Sequence, residues 1–199
     1  MTKSGAELRR EKIREQFFPK DDLWTSLKEV GWFPAPRTLP LILSLLDSKA
    51  ISDSKSLSLV FLELLSRHRS DGVIEMSTEA DHAFAAGYEG SRGRRTWQER
   101  MKKLEEIGFI RTQKVGNEAY KYVAIVHPTT AVQKLRDKNL VSDDWWSAYF
   151  ARKLETKELT HDQRMKKQAD AAKVVPIGTQ GARKKKVANI PLLKKRRSK

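Results

Sequence analysis

The stretch from Gly93 to Val126 changes its hydrophobic period within a few residues, and few folds accept that change. Trp97, Met101 and Leu104 recur at helical spacing up to Ile107, as an amphipathic helix requires. Gly108 is a C-cap signal. Phe109–Lys114 and Ala119–Val126 then read as two strands joined at Gly116-Asn117, a hairpin. Upstream, Leu57, Val60, Phe61, Leu64 and Leu65 mark another amphipathic helix, Asp71-Gly72 a turn, and Val73–Met76 a short strand. Thr78 with Asp81 resembles a capping box, so a helix is expected from Thr78 to near Gly87, followed by a tight link over Tyr88–Ser91. The expected order is helix, strand, helix, helix, strand, strand.

In this setting LEEIGFI resembles the end of a recognition helix entering a first wing strand, and RTQKVGNEAYKYV resembles the wing itself. The resemblance is to the winged-helix superfamily, a helix-turn-helix variant that includes bacterial transcription regulators and plasmid replication initiators. It covers Ser56 to Val126, roughly a third of the chain. It implies a helix-turn-helix body with a small β-hairpin wing; with the segments outside it, the expected fold is mainly α with that wing (α+β), flanking helices and a disordered basic tail. It also implies that the helix Gly93–Ile107 lies in the major groove of double-stranded DNA, the docking mode of such helices.

With Trp97 facing inward, the opposite face carries Arg92, Arg95, Gln98, Glu99, Lys102 and Lys103. Arg95 suits guanine O6 and N7, and Gln98 suits adenine N6 and N7. Arg94 and Arg100 flank the apolar face and suit phosphate, as do Lys114, Asn117 and Lys121 on the wing. The alternative is a solvated helix face whose bases pair with Glu99, Glu105 and Glu106. Six bases between Arg92 and Lys103, in the one helix this fold presents, favour nucleic acid.

The net charge of +15 points the same way. Nine Lys or Arg and no acid fall between Gly181 and Lys199, leaving +6 on the rest. Two clusters stand out, Arg183, Lys184, Lys185 and Lys186, then Lys194, Lys195, Arg196 and Arg197. They suit accessory phosphate binding and also resemble a two-part nuclear localisation signal. Charge does not separate DNA from RNA.

The chain has no cysteine, which excludes disulfides and cysteine-ligated zinc. No apolar run is long enough to span a bilayer. The protein is expected to be soluble, cytoplasmic and nucleoid-associated, or nuclear in a eukaryote, without membrane contact.

The organisation expected is a charged N-terminal helix in 1–20, a helical, aromatic extension in 21–55 packed on the core, the winged helix in 56–127, C-terminal helices in 128–173 and a basic tail in 174–199. A short helix is expected around Leu23, Trp24 and Leu27 after the stop at Pro19, and another over Leu39–Leu46. Trp24, Trp32 and Phe33 read as core residues. Trp145, Trp146, Tyr149 and Phe150 sit on a helix capped by Ser142; they suit core packing, or a homodimer or protein-partner interface.

No catalytic constellation appears, and no enzyme and no cofactor are expected. Glu79 and His82, and Glu158 and His161, have helical spacing and read as surface pairs rather than metal ligands. His68 and His127 read as surface or cap residues. There is no phosphate-binding loop and no nucleophile elbow.

Overall fold

The computed structural model describes residues 4–18, 31–53, 55–68 and 71–173. The expected helix around Leu23, Trp24 and Leu27 lies outside them, as do the basic clusters Arg183–Lys186 and Lys194–Arg197. The fold is α+β, mainly helical with one small antiparallel sheet. The chain divides into two units, Met1–Glu158 and Leu159–Lys199.

In the first unit, α1 (Gly5–Phe17) begins with a capping box between Ser4 and Glu7 and is exposed throughout. α2 (Leu39–Leu46) and α3 (Lys49–Ser52) precede α4 (Ser58–Arg67). Then come β1 (Val73–Glu75), α5 (Glu79–Ala85), α6 (Gly90–Glu106), β2 (Ile110–Val115) and β3 (Glu118–Ile125). α7 (Pro128–Asp137) and α8 (Asp143–Thr156) complete the unit. In the second unit, α9 (His161–Lys173) starts at Thr160, whose hydroxyl accepts from Gln163 N.

The order from α4 to β3 is the one read from the sequence, with ends shifted by up to three residues at the start of α6. The sheet runs β1-β3-β2, with Ile74 opposite Val123 and Ile110 opposite Ile125. Ile74, Ile110 and Val123 are buried on it. One core joins them to Ile42 and Leu46 of α2, Phe61 and Leu64 of α4, Trp97, Met101 and Leu104 of α6, Val132 and Leu135 of α7, and Tyr149 of α8. Phe61 meets Phe109 edge-on, with ring centroids 5.2 Å apart.

α4 carries no cap from its own N-cap residue, Leu57. Asp47 supplies it from ten positions upstream, accepting from Leu57 N at 2.8 Å, Ser58 N at 2.9 Å and Ser58 Oγ at 2.6 Å. These bonds satisfy N–H groups that a helix start leaves open. Burial works against the Asp47 carboxylate, but the bonds from Ser58, Leu57 and Ser56 outweigh it and hold the group below its ordinary pKa.

The turn between α5 and α6 is tight. Tyr88 N donates to Ala83 O at 2.8 Å, and Gly87 takes φ +83°, a conformation glycine adopts without strain. Gly93 then lies so close to Tyr88 that a Cβ there would sit 2.7 Å from the Tyr88 carbonyl carbon.

Two polar groups, one buried and one half-buried, depart from the sequence reading. His82 does not pair with Glu79 at the surface. It is 1% exposed and its Nδ1 is 2.9 Å from Glu63 Oε1, which also accepts from Arg67 Nε. Ser77 N donates to His82 Nε2 at 3.3 Å, so Nδ1 carries the proton. Glu158 likewise serves Thr38, accepting from its N at 3.0 Å and its Oγ1 at 2.8 Å. Nearby, buried Lys153 donates to Thr129 Oγ1 at 2.9 Å. His127 is a cap, as read, its Nδ1 accepting from Thr129 N at 3.2 Å.

Candidate nucleic-acid interface

α6 is a rod of 17 residues with one face fixed. Gly93, Trp97, Met101 and Leu104 are buried on that face. Trp97 meets Tyr120 of β3 edge-on at 5.5 Å, and the Tyr120 hydroxyl donates to Gln98 O at 3.2 Å. Burial, followed by the charges of Glu105 and Glu79, raises the Tyr120 pKa, so the phenol stays protonated as donor. At the other end of α6, Glu105 Oε1 accepts from Thr112 N and Thr112 Oγ1, both at 2.8 Å. Helix and hairpin are thus fastened at two levels, and the outward side chains stand on a fixed frame.

The exposed cations of α6 are Arg92, Arg95 and Lys102 on its free side and Arg94 beside its buried face. Arg95 is the most open of the paired ones, with 83% of its side chain exposed and its Nε 3.8 Å from Glu99 Oε1. Lys114 and Asn117 are exposed on the hairpin.

Other predicted residues are occupied. Gln98 Nε2 donates to Glu79 Oε2 at 2.6 Å and is half-buried, so its amide is not presented to a base edge as the sequence suggested. Lys103 donates to Asp53 at 2.9 Å and holds that carboxyl below its ordinary pKa. Lys121 lies 3.4 Å from Glu75 and 3.5 Å from Glu118. The charge of Glu118 leads in raising its pKa, with Glu75 adding to it. Arg100 is largely covered, with 13% of its side chain exposed. Arg183, Lys184, Lys185, Lys186, Lys194, Lys195, Arg196 and Arg197 lie outside the described residues.

The fold nevertheless brings several of these residues together. Arg94, Gln98, Asn117 and Lys121 line one cleft of about 480 Å³ between the start of α5, α6 and the hairpin, together with Glu79 and Tyr120. Glu79, Asp53 and Glu75 are the partners that sequence reading missed. Each lies outside the element of the residue it meets and shares no spacing with it.

The aromatic residues of α8 divide. Tyr149 is buried, stacked on Trp145 at 4.9 Å. Arg136 sits over the Trp146 ring at 5.5 Å. Phe150 and Leu154 are exposed, at 40% and 63%. Trp32, read as core, is 53% exposed, whereas Phe33 packs on the core.

Among the described residues, no cluster of three or more His, Asp or Glu side chains is placed to hold a metal ion, and no helix is long and apolar enough to cross a membrane. The chain matches no protein-family model, no curated protein and no solved structure.

Proposed function

We propose that the chain binds double-stranded DNA through the outward face of α6, as a winged-helix module whose wing is the β2–β3 hairpin. The element order from α4 to β3 and the central position of β3 in the sheet support this reading. One observation carries it. Arg92, Arg95 and Lys102 are exposed together on the side of α6 opposite buried Trp97, Met101 and Leu104, with Arg94 exposed at the edge. A fixed helix with cations along its free side has the width and charge to enter a major groove lined by phosphates. On this reading the protein is a transcription regulator or the replication initiator of a mobile element, acting at the nucleoid, or in the nucleus of a eukaryote. The segment 174–199 adds phosphate contacts.

The test is duplex binding by the full chain as salt is raised. Replacing Arg92, Arg95 and Lys102 together by Ala is expected to weaken binding at least tenfold. Each lost phosphate contact is expected to remove about 0.9 from the slope of log affinity against log salt. A chain ending at Gly181 is expected to bind with a shallower slope. The proposal fails if the helix substitutions change nothing while the truncation abolishes binding. Double-stranded RNA, run as competitor, decides which duplex is preferred.

A second reading is an adaptor subunit that joins a nucleoprotein or toxin complex. The exposed pair Phe150 and Leu154, one turn apart on α8, favours it. In that case binding shows no sequence preference, and Phe150→Ser with Leu154→Ser abolishes association with the protein partner.

A further inference from the structure

The acid set within the basic stretch of α6 creates a conflict that an attraction to phosphate alone does not explain. Between Arg92 and Lys103 every charged residue is basic except Glu99. Its side chain is 49% exposed and shares the outward face with Arg95, one turn away. Three nearby acids are committed elsewhere by short bonds, Glu79 to Gln98 at 2.6 Å, Glu105 to Thr112 at 2.8 Å and Asp53 to Lys103 at 2.9 Å, and exposed Glu106 lies past the bases at the end of the helix. Glu99 differs. Its contacts to Arg95 Nε, at 3.8 Å, and Arg100 Nη1, at 3.9 Å, are longer than hydrogen bonds. Its oxygens therefore keep their capacity to accept.

We propose that Glu99 is a base-discriminating residue that makes α6 selective for a cytosine next to, or one pair removed from, a guanine met by Arg95. The inference rests on the duplex-binding reading above. A carboxylate brought into a groove between phosphates is repelled unless it meets a donor. In the major groove only the amino groups of cytosine and adenine donate. Adenine presents its N7 acceptor beside that amino group, which repels a carboxylate. Cytosine presents none, so it is the better partner, and Arg95 correspondingly suits guanine O6 and N7. Four residues along a helix span about 6 Å. With base pairs about 3.4 Å apart, this separation reaches the adjacent or next pair. Glu99 thus weakens attraction to duplex in general and restores it at one kind of site.

Selection from random duplexes with the full-length wild type, Glu99→Gln and Arg95→Ala tests this, alongside affinities for a selected and a scrambled duplex. The wild type is expected to enrich a cytosine within two pairs of a guanine. Glu99→Gln is expected to lose the cytosine, to bind the scrambled duplex several-fold more tightly, and to narrow the gap between selected and scrambled duplexes about tenfold. Arg95→Ala is expected to lose the guanine. The inference is overturned if Glu99→Gln keeps the cytosine preference, or if it binds scrambled duplex more weakly. A wild type that binds duplex without any preferred sequence overturns this inference alone. A wild type that binds no duplex overturns the duplex-binding reading and this inference with it. Because Glu99 is exposed, thermal melting of the variant is expected to match the wild type, which separates a loss of preference from a loss of fold.

Discussion

The Gln98 amide is held by the Glu79 carboxylate at 2.6 Å, joining α6 to the first residue of α5. A glutamine on a recognition helix ordinarily suggests adenine. Here it is an internal strut. Gln98→Ala is expected to leave the base preference of the protein unchanged and to destabilise the fold by about 1 kcal/mol, the scale of a hydrogen bond to a charged group that water partly replaces. Selection from random duplexes and urea unfolding read the two effects separately.

Gly93 occupies a helix interior, where alanine is ordinarily better by about 1 kcal/mol. The contact with Tyr88 reverses the sign, because a Cβ at 2.7 Å from backbone must push the turn open. Gly93→Ala is expected to destabilise by about 1–3 kcal/mol, as overpacking does, and to weaken duplex binding through the tilt of α6. Urea unfolding and duplex titration check this.

Asp47 makes a dependence on acidity at the start of α4. Its folded-state pKa is lowered, so its contribution is present above the unfolded carboxyl value near 3.8 and is lost as pH falls through the lower, folded one. Asp47→Ala is expected to cost about 1–2 kcal/mol at neutral pH, as a lost cap does. The stabilities of variant and wild type should converge below pH 3.8. Urea midpoints measured from pH 7 downward test that convergence.

Lys153 and the residues around it bear on where the folded unit ends. Val132, Leu135, Val141 and Tyr149 belong to the same core as Trp97 and Phe61. A chain of residues 56–127 alone would lose those contacts together with α2, and is expected not to unfold cooperatively in urea. Lys153→Ala in the full chain is expected to destabilise by about 2–4 kcal/mol, since it leaves Thr129 and Glu158 short of a buried partner.

Local pattern made much of this fold legible. The apolar run Leu39–Leu46 forms a helix within the bounds expected, and Ser142 caps α8 by accepting from Trp145 N at 3.3 Å. In the hairpin, Gly116 takes φ +59° at the turn read from Gly-Asn. Relations between distant positions were not legible. Asp47 caps a helix that begins eleven residues later, and the Glu63 that receives His82 is nineteen positions away. Helix α3, four residues long, has too few side chains to show a period. At the candidate interface, helical spacing identified the outward face of α6. Which polar groups of the interface are free depends on Asp53, Glu75 and Glu79, acids that folding alone brings to Lys103, Lys121 and Gln98.

The bonds from Thr38 to Glu158 join positions 120 residues apart. They close the polypeptide into a loop, 38–158, within which lie the buried core residues from Leu39 to Tyr149. A covalent cross-link between positions 38 and 158 in the full chain would make that closure permanent. Closing a loop of that length covalently removes roughly 5 kcal/mol of chain entropy from the unfolded state in the polymer account, so sealing this seam is a route to a more stable fold with α6 untouched.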